Sequence, residues 1–290
     1  MAEYIILTDS SCDLPDSVTA EYGIRVIPLS LTMEGKQYLN TTDERGIPDR
    51  ELYARLRDGA VAKTSAANAE AFTTVMEQEL DAGRDILYIG FSSALSATCS
   101  VGANVSREMM ERYPGRKVYT VDSLCASLGQ GLFVYLLAKK KQEGLTIDEL
   151  RDYAEGLKLH IAHWFTVEDL MFLRRGGRIS AAAAVFGSIL SIKPVMHVDN
   201  EGRLIPVSKV RGRKASLRAI ADRVAQTKLD RPDQTLFISH GDCEEDARLV
   251  AEMIRERTGL EVEVLNFVGP VIGSHSGPGT IAVFFIASER

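Results

Sequence analysis

Hydroxyl-bearing side chains cluster directly after apolar stretches in the first third of the chain. In FSSALSAT, residues 91–98, four hydroxyls follow an apolar stretch of strand character. KTSAAN, residues 63–68, places Thr64 and Ser65 before a segment of helical periodicity. Helix starts present free backbone N–H groups, and hydroxyls add further donors. Because FSSALSAT contains no lysine or arginine, the two stretches predict a neutral anion cradle, with two ordinary helix caps as the alternative.

A single histidine lies in a glycine-rich segment near the end of the sequence. VGPVIGSHSGPGTIAVFF, residues 268–285, flanks His275 with two serines and surrounds it with glycines and prolines. We expect a tight loop between apolar strands that holds this imidazole rigidly. Such a group suits ligand contact or acid–base work, and a hydrogen-bonded core histidine is the alternative.

Three arginines surround a glycine pair in LMFLRRGGRIS, residues 170–180. Arg174, Arg175 and Arg178 follow an apolar helical segment, and forked guanidinium groups bind phosphates and carboxylates. Cations also favour a helix C-terminus, so a solvated helix end is the alternative. The small and branched residues that follow would line a narrow apolar passage or pack a helix tightly.

Several common catalytic signatures are absent from the sequence. It contains no GxxxxGK[ST], no GxGxxG after a strand, no GxSxG and no HExxH. The motifs that usually support a nucleotide-binding, hydrolase or zinc-protease interpretation are therefore missing. Ser96 and His275 are conceivable members of a triad, but no pattern enforces it. His160 and His163 have helical spacing without a carboxylate companion, so we expect no metal. The acidic residues of HGDCEEDA, 240–247, are explained by capping of a helix over Glu244 to Thr258.

Alternating elements predict an α/β fold. A chain of 290 residues exceeds the usual size of one core, so we expect two domains, 1–163 and 164–290. In the first, apolar strands alternate with helices, which predicts a parallel sheet flanked by helices. Its last helix is expected over Thr146 to His163. The second is expected to be a smaller α/β domain with a mixed sheet, beginning with a hairpin of SIKPVMHV and LIPVSKV.

Composition restricts partners and compartment. The 34 basic and 40 acidic residues give a net charge of −6, which removes a general reason to expect nucleic acid. No apolar run reaches the roughly 20 residues of a membrane span, so we expect no stable membrane insertion. Four scattered cysteines without metal spacing, and an N-terminus unlike a signal peptide, predict a cytoplasmic protein with reduced thiols.

Seven motifs together resemble one known family. In order and spacing the chain resembles the DegV family nearly end to end, although TSAAN lacks the proline and last serine of that family's TSxPS-like stretch. The hairpin motif continues into KVRGRKAS. The motifs are TDSSCDLP (8–15), TSAAN (64–68), FSSALSAT (91–98), VDS (121–123), RRGGRI (174–179), SIKPVMHVDNEGRL (191–204) and VGPVIGSHSGPGTIAVFF (268–285).

The resemblance implies a ligand and a place for it. Members of this family are similar to the fatty acid-binding subunits of bacterial fatty acid kinases, in which two α/β domains clasp one long-chain fatty acid such as palmitate. The carboxylate lies at the interface on Thr64 and Ser96, with His275 close by, and the chain lies in a tunnel of the C-terminal domain. The implied ligand contacts are Thr64, Ser65, Ser93, Ser96, Ala97 and His275. The expected tunnel residues are Phe186, Ile189, Val195, Val271 and Phe284.

The resemblance also implies a partner. A separate ATP-dependent kinase subunit phosphorylates the bound acid, so this chain would be a lipid-binding, substrate-presenting subunit without a cofactor or catalysis of its own. The alternative is a small-molecule hydrolase or transferase with His275 as acid or base and Ser96 as nucleophile or oxyanion group. The cations expected to face the kinase or the acyl phosphate are Arg174, Arg175, Arg178, Lys209, Arg211 and Arg213.

Overall fold

Three β-sheets and ten α-helices make up residues 3–180 and 192–290, which the computed structural model describes. This architecture confirms the predicted α/β class. The strands are β1 (Tyr4–Asp9), β2 (Arg25–Ile27), β3 (Leu29–Met33), β4 (Lys36–Asn40), β5 (Ala62–Ser65), β6 (Asp85–Gly90), β7 (Val118–Asp122), β8 (Ile161–Thr166), β9 (Ile192–Val198), β10 (Leu204–Arg211), β11 (Leu236–His240), β12 (Val262–Phe267) and β13 (Ile281–Ile286).

Helices follow most strands, as expected for an α/β chain. Two 3-10 turns, Ser10–Cys12 and Lys158–His160, precede α1 and β8 respectively. The helices are α1 (Asp16–Tyr22), α2 (Asp49–Arg57), α3 (Ala69–Asp81), α4 (Thr98–Arg112), α5 (Leu128–Gln142), α6 (Ile147–Leu157), α7 (Met171–Arg175), α8 (Arg213–Thr227), α9 (Glu244–Thr258) and α10 (Pro270–Ser276).

The first sheet is parallel, in the order β2-β1-β6-β7. Strands β1 and β6, YIILTD and DILYIG, are buried at every position, which is typical of a parallel sheet covered on both faces. Their carboxyl ends carry the loops that begin at Ser10 and Phe91. The polar residues of these two loops therefore meet at one edge of the sheet.

A six-stranded mixed sheet has the order β10-β9-β8-β13-β11-β12. Only β11 and β12 run parallel, and β9 and β10 form the predicted antiparallel hairpin. The helix expected over Thr146 to His163 is wrong in its second half: α6 ends at Leu157, and IAHWFT forms β8. The aromatic and apolar side chains of this stretch favour a strand, and β8 pairs with β13. Residue 163 lies inside β8, and the division into domains at this residue stays a prediction.

A three-stranded antiparallel sheet, β4-β3-β5, was not predicted from the sequence. Its strand β5 contains Thr64 and Ser65, so these hydroxyls do not cap a helix. The cap of α3 is Asn68, whose side chain accepts a hydrogen bond from the backbone N–H of Ala71 at 2.8 Å. Thr64 is thus held by strand pairing, opposite Leu31 of β3.

The largest apolar cluster joins the parallel sheet to the mixed sheet. It includes Ile6 and Leu87 from the first sheet, Phe237 and Phe284 from the second, and much of α5. Every residue of α5 from Leu128 to Ala138 is buried, which explains why this helix is apolar all round. Helix α5 therefore belongs to the core of both sheets.

Three further observations concern the cysteines, possible metal ligands and long apolar helices among the described residues. All four cysteines are free thiols. No cluster of three or more His, Cys, Asp or Glu placed to hold a metal occurs within residues 3–180 and 192–290, and His160 and His163 lie on different elements. Among those residues, no helix combines the length and apolarity that crossing a membrane demands.

Candidate functional site

A cavity of about 290 Å³ lies where the loops of the parallel sheet meet the mixed sheet and α10. Most of its wall is apolar, so it suits a hydrocarbon better than a polar metabolite. The apolar lining residues are Leu29, Ala66, Phe91, Leu95, Ala97, Ala126, Phe165, Leu173, Val198, Leu204, Val268, Val271, Ile272, Ala282 and Phe284.

One end of the cavity carries a hydrogen-bonded pair from distant parts of the chain. The Thr64 hydroxyl lies 2.7 Å from Nε2 of His275. His275 occupies the last turn of α10, so the expected tight loop is in fact a helix. Pro270 starts this helix at a position that favours proline, and Gly277, with φ of 79°, ends it. Strand β5 and helix α10 thus hold both partners on regular elements.

The imidazole of His275 is neutral at physiological pH. Burial, assisted by the nearby Arg178 cation, lowers the pKa of His275 to about 4. The backbone of Gly176 packs directly against this ring, because a Cβ at that position would lie 2.1 Å from Nδ1. Gly176 therefore allows the close approach that fixes the ring beside Thr64.

Ser96 lies in the loop between β6 and α4 and also lines the cavity. Its Oγ accepts a hydrogen bond from the Thr98 backbone N–H at 3.2 Å and lies 3.0 Å from the Thr98 hydroxyl. No hydrogen bond joins Ser96 to His275 in the described part of the chain. The nucleophile and base of the alternative hydrolase are therefore not paired, and the low pKa makes His275 a weak base.

Arg178 adds a cation to the polar end of the cavity. Its Nε donates to the Leu95 carbonyl at 3.3 Å, and Nη1 donates to the Gly176 carbonyl. Burial lowers the pKa of Arg178, and no carboxylate of residues 3–180 or 192–290 pairs with it. A half-buried guanidinium without a counter-charge favours an anion close by. The cradle predicted as neutral therefore includes one positive group.

A second polar lining residue, His163, is already satisfied by the backbone. Its Nε2 accepts the Ala126 N–H at 3.1 Å, and Nδ1 lies 2.9 Å from the Ile161 carbonyl. Desolvation lowers its pKa well below the usual range, so the ring is neutral. His163 is a core residue that contributes an edge to the apolar wall rather than a second polar end.

An outer pocket of about 380 Å³ adjoins the apolar cavity. The two share Thr64, Arg178 and His275, and the outer pocket adds the cations Lys63 and Arg175. The polar groups therefore stand between an apolar chamber and a basic one.

The structure brings together most, but not all, of the residues singled out from the sequence. Ser65 and Ala97 line the apolar cavity, whereas Ser93 does not and is exposed. Arg174 and Arg211 are exposed and line neither pocket. Of the expected tunnel residues, Val271 and Phe284 line the cavity, Val195 packs in a separate core cluster, and Phe186 and Ile189 lie outside the described residues.

Sequence reasoning missed the contacts that position the Ser96 loop. The Ser92 hydroxyl donates to the carbonyl of Gly202, in the turn of the β9–β10 hairpin, at 2.8 Å. Gly202 has φ of 77°, and a Cβ there would lie 2.2 Å from Ser92 Oγ. The hairpin that contains Gly202 is predictable from the sequence, but the contact of its turn with Ser92 is not.

Comparison with known proteins assigns the chain to a family. A family model described as "Uncharacterised protein, DegV family" matches residues 4–288. A DegV domain-containing protein of Clostridium perfringens is 40% identical over 290 residues, covering 100% of this chain and 99% of the relative. The chain belongs to the DegV family.

Solved DegV structures share the whole fold. A DegV family protein from Thermus thermophilus, described by its fatty acid binding, has a TM-score of 0.87 at 30% identity and covers 99% of this chain and 100% of its own. A DegV lipid binding protein from Thermotoga maritima has a TM-score of 0.84 at 28% identity, with 99% of each chain covered. The resemblance inferred from seven motifs is thereby confirmed.

Proposed function

We propose that this DegV protein binds one long-chain fatty acid and presents its carboxylate to a separate ATP-dependent kinase subunit. The observation that carries the proposal is the apolar cavity that ends in the neutral Thr64–His275 pair. The fatty acid binding named for the Thermus thermophilus relative supports the same ligand class.

Burial of the acyl chain supplies most of the affinity. At ~0.8 kcal/mol per buried CH₂, a 16-carbon chain offers on the order of 12 kcal/mol before ordering costs. The head group then needs only to avoid an unpaired buried charge. Thr64 and Ser96 supply hydroxyl donors for the carboxylate, and the half-buried Arg178 supplies a counter-charge.

The outer pocket supplies a path for the phosphate donor. In the proposed reaction a carboxylate oxygen attacks the γ-phosphorus of ATP, the bond to the bridging oxygen of ADP breaks, and acyl phosphate and ADP result. Lys63 and Arg175 line this pocket beside the head group, where cations stabilise phosphoryl oxygens. All chemistry on ATP belongs to the kinase, and this chain acts as substrate carrier.

Native mass spectrometry followed by organic extraction tests the binding step. We expect the purified protein to carry one fatty acid per chain, or to bind one equivalent of added palmitate after delipidation. A protein that stays ligand-free in palmitate would refute the proposal.

Hydroxylamine trapping tests the presentation step. The loaded protein is incubated with ATP and an extract of the source cells, and acyl phosphate is captured as acyl hydroxamate. We expect hydroxamate only when protein, ATP and extract are combined. Fatty acid binding without any ATP-dependent hydroxamate would leave a lipid carrier and remove the kinase role.

A further inference from the structure

A second cavity, of about 250 Å³, lies at the opposite end of α10 from His275. It is formed by the loop into α1, the segment between β4 and α2, and the connection from β12 to α10. Four carboxylates line it, and no lysine, arginine or histidine of the described chain does so. The lining acids are Asp13, Asp16, Glu44 and Asp49.

Two of these carboxylates are buried and each has an oxygen without a hydrogen-bond donor. Asp13 and Asp49 are each 7% exposed, and Oδ1 of each has no hydrogen-bond partner. Asp13 uses its other oxygen to accept the Ser127 hydroxyl at 2.6 Å. The Asp49 side chain forms no hydrogen bond or ion pair with any residue that the structure describes. Buried carboxylates are normally paired, because desolvating an isolated charge costs several kcal/mol.

The electrostatic surroundings of these groups favour a cation. Burial raises the pKa of Asp13 well above its usual range, although the Ser127 hydroxyl lowers it. Burial, with a contribution from Glu44, raises the pKa of Asp49 to about 7. A positive charge placed in the cavity would lower both pKa values towards normal. The Arg50 guanidinium lies 5.8 Å from the ring centroid of Phe267, a residue of the cavity wall.

We propose that this acidic cavity binds the ammonium group of a small primary amine. An ammonium group brings a positive charge and three N–H donors, which suits carboxylate oxygens that lack donors. A metal ion fits less well, because the described residues hold no cluster of three His, Cys, Asp or Glu arranged for coordination. The cavity is also many times larger than the roughly 10–15 Å³ that one buried water needs, so it admits an organic cation.

The remaining wall suits the carbon skeleton of such an amine. Apolar surface lies beside the carboxylates, where a methylene chain would be removed from water. Hydroxyl and amide groups complete the lining and offer further acceptors. The apolar lining residues are Leu14, Pro15, Leu39, Ile47, Phe267 and Pro270.

Isothermal titration calorimetry of the full chain with 1,4-diaminobutane tests the proposal. We expect saturable 1:1 binding that weakens at least tenfold in Asp49→Asn and is unchanged in Asp58→Asn. Asp58 is the matched control, because it follows the C-terminal end of the same helix, α2, and is exposed. Should Asp49→Asn fail to fold, Glu44→Gln provides a second variant, with a weakening of about threefold expected.

Other cations separate this ligand class from its competitors. Tetramethylammonium carries the charge without N–H donors, so we expect no saturable binding at equal ionic strength. Tighter 1:1 binding of Ca²⁺ or Mg²⁺ than of the amine, or equal amine binding by wild type and Asp49→Asn, would overturn the proposal. Fatty acid content is measured on the same samples, so that a failure of amine binding can be told apart from a failure of the proposed fatty acid binding.

Discussion

Helix α10 separates two cavities that differ in the hydrogen bonding of their buried polar groups. At its C-terminal end, Thr64 and His275 pair with each other at 2.7 Å beside an apolar chamber, and the imidazole is neutral. At its N-terminal end, Asp13 and Asp49 line a cavity and leave carboxylate oxygens without partners.

The difference concerns which group must supply the missing charge or donor. The Thr64–His275 pair satisfies itself, so a ligand there can be held mainly by its tail and exchanged readily. The carboxylates of the acidic cavity are costly until a donor arrives, so a ligand there would be held by its charge. The charge or hydrogen-bond donor that a buried polar group lacks thus indicates the chemistry of its ligand.

The largest expected effect on ligand affinity comes from displacing His275 from Thr64 by a substitution at Gly176. In Gly176→Ala the new Cβ would lie 2.1 Å from Nδ1 of His275, so the ring must move away from Thr64. We expect a loss of palmitate affinity on the order of 100-fold, because overpacking of about 1–3 kcal/mol adds to the lost hydrogen bond. Isothermal titration calorimetry with palmitate measures this loss of affinity. Gly156→Ala, at an open helical position, should bind normally, and unchanged binding by Gly176→Ala would contradict the account of the site.

The second effect tests the acidic cavity through pH. The pKa of Asp49 is about 7 in the folded chain, whereas an exposed aspartate has a pKa of 3.8, so the folded state keeps this proton when the unfolded state has lost it. Stability from this group is therefore full below about pH 4 and is lost as pH rises through 7. We expect Asp49→Asn to raise the unfolding free energy by about 4 kcal/mol at pH 8 and by almost nothing at pH 4. Urea unfolding at both values measures it, and destabilisation at pH 8 would show a structural role instead.

The third effect sharpens the role of Thr64. Thr64→Val keeps the shape but removes the hydroxyl from His275 and from the proposed head group. We expect palmitate to bind about fivefold more weakly, equivalent to about 1 kcal/mol for one hydrogen bond. Ser93→Ala is the control, because Ser93 is exposed and does not line the cavity. Equal losses in both variants would count against a specific contact at Thr64.

The smallest effect concerns the basic outer pocket. Arg175 lines this pocket but not the apolar cavity, and its guanidinium stacks 4.6 Å from the Phe172 ring centroid. We expect Arg175→Gln to reduce ATP-dependent hydroxamate formation two- to fourfold while leaving fatty acid content unchanged. Arg107→Gln, on the exposed face of α4 and outside both pockets, serves as control. A loss of fatty acid in Arg175→Gln would assign this residue to binding instead.

Elements with clear local signals were predictable from the sequence. The helix expected over Glu244 to Thr258 has those bounds in the structure, because acidic residues fill its first turn and Gly259 ends it with φ of 74°. The hairpin of β9 and β10 likewise follows from two strand-like stretches around a turn. Periodicity and end signals agree in both cases.

The errors occur where tertiary pairing overrides local pattern. IAHWFT continued an amphipathic helical pattern but pairs with β13, so His163 lies on a strand. Glycine content favoured a loop around His275, whereas Pro270 and the packing of Gly273 against the Tyr53 hydroxyl accommodate a short helix. Thr64, Ser96 and His275 could be proposed as the polar end of the cavity from their motifs. The position of Arg178 beside them could not, because it depends on the path of the chain after α7.

The burial of α5 between both sheets has a consequence for how this protein can be divided. Its apolar residues contribute to a cluster that draws on both sheets. Ser127, directly before the helix, lines the apolar cavity and forms hydrogen bonds with Asp13 and Ser239. A chimera that joins one half of this chain to the other half of a relative would replace only one side of that packed surface. Exchange between relatives should therefore succeed only when α5 travels together with its matching residues from both sheets.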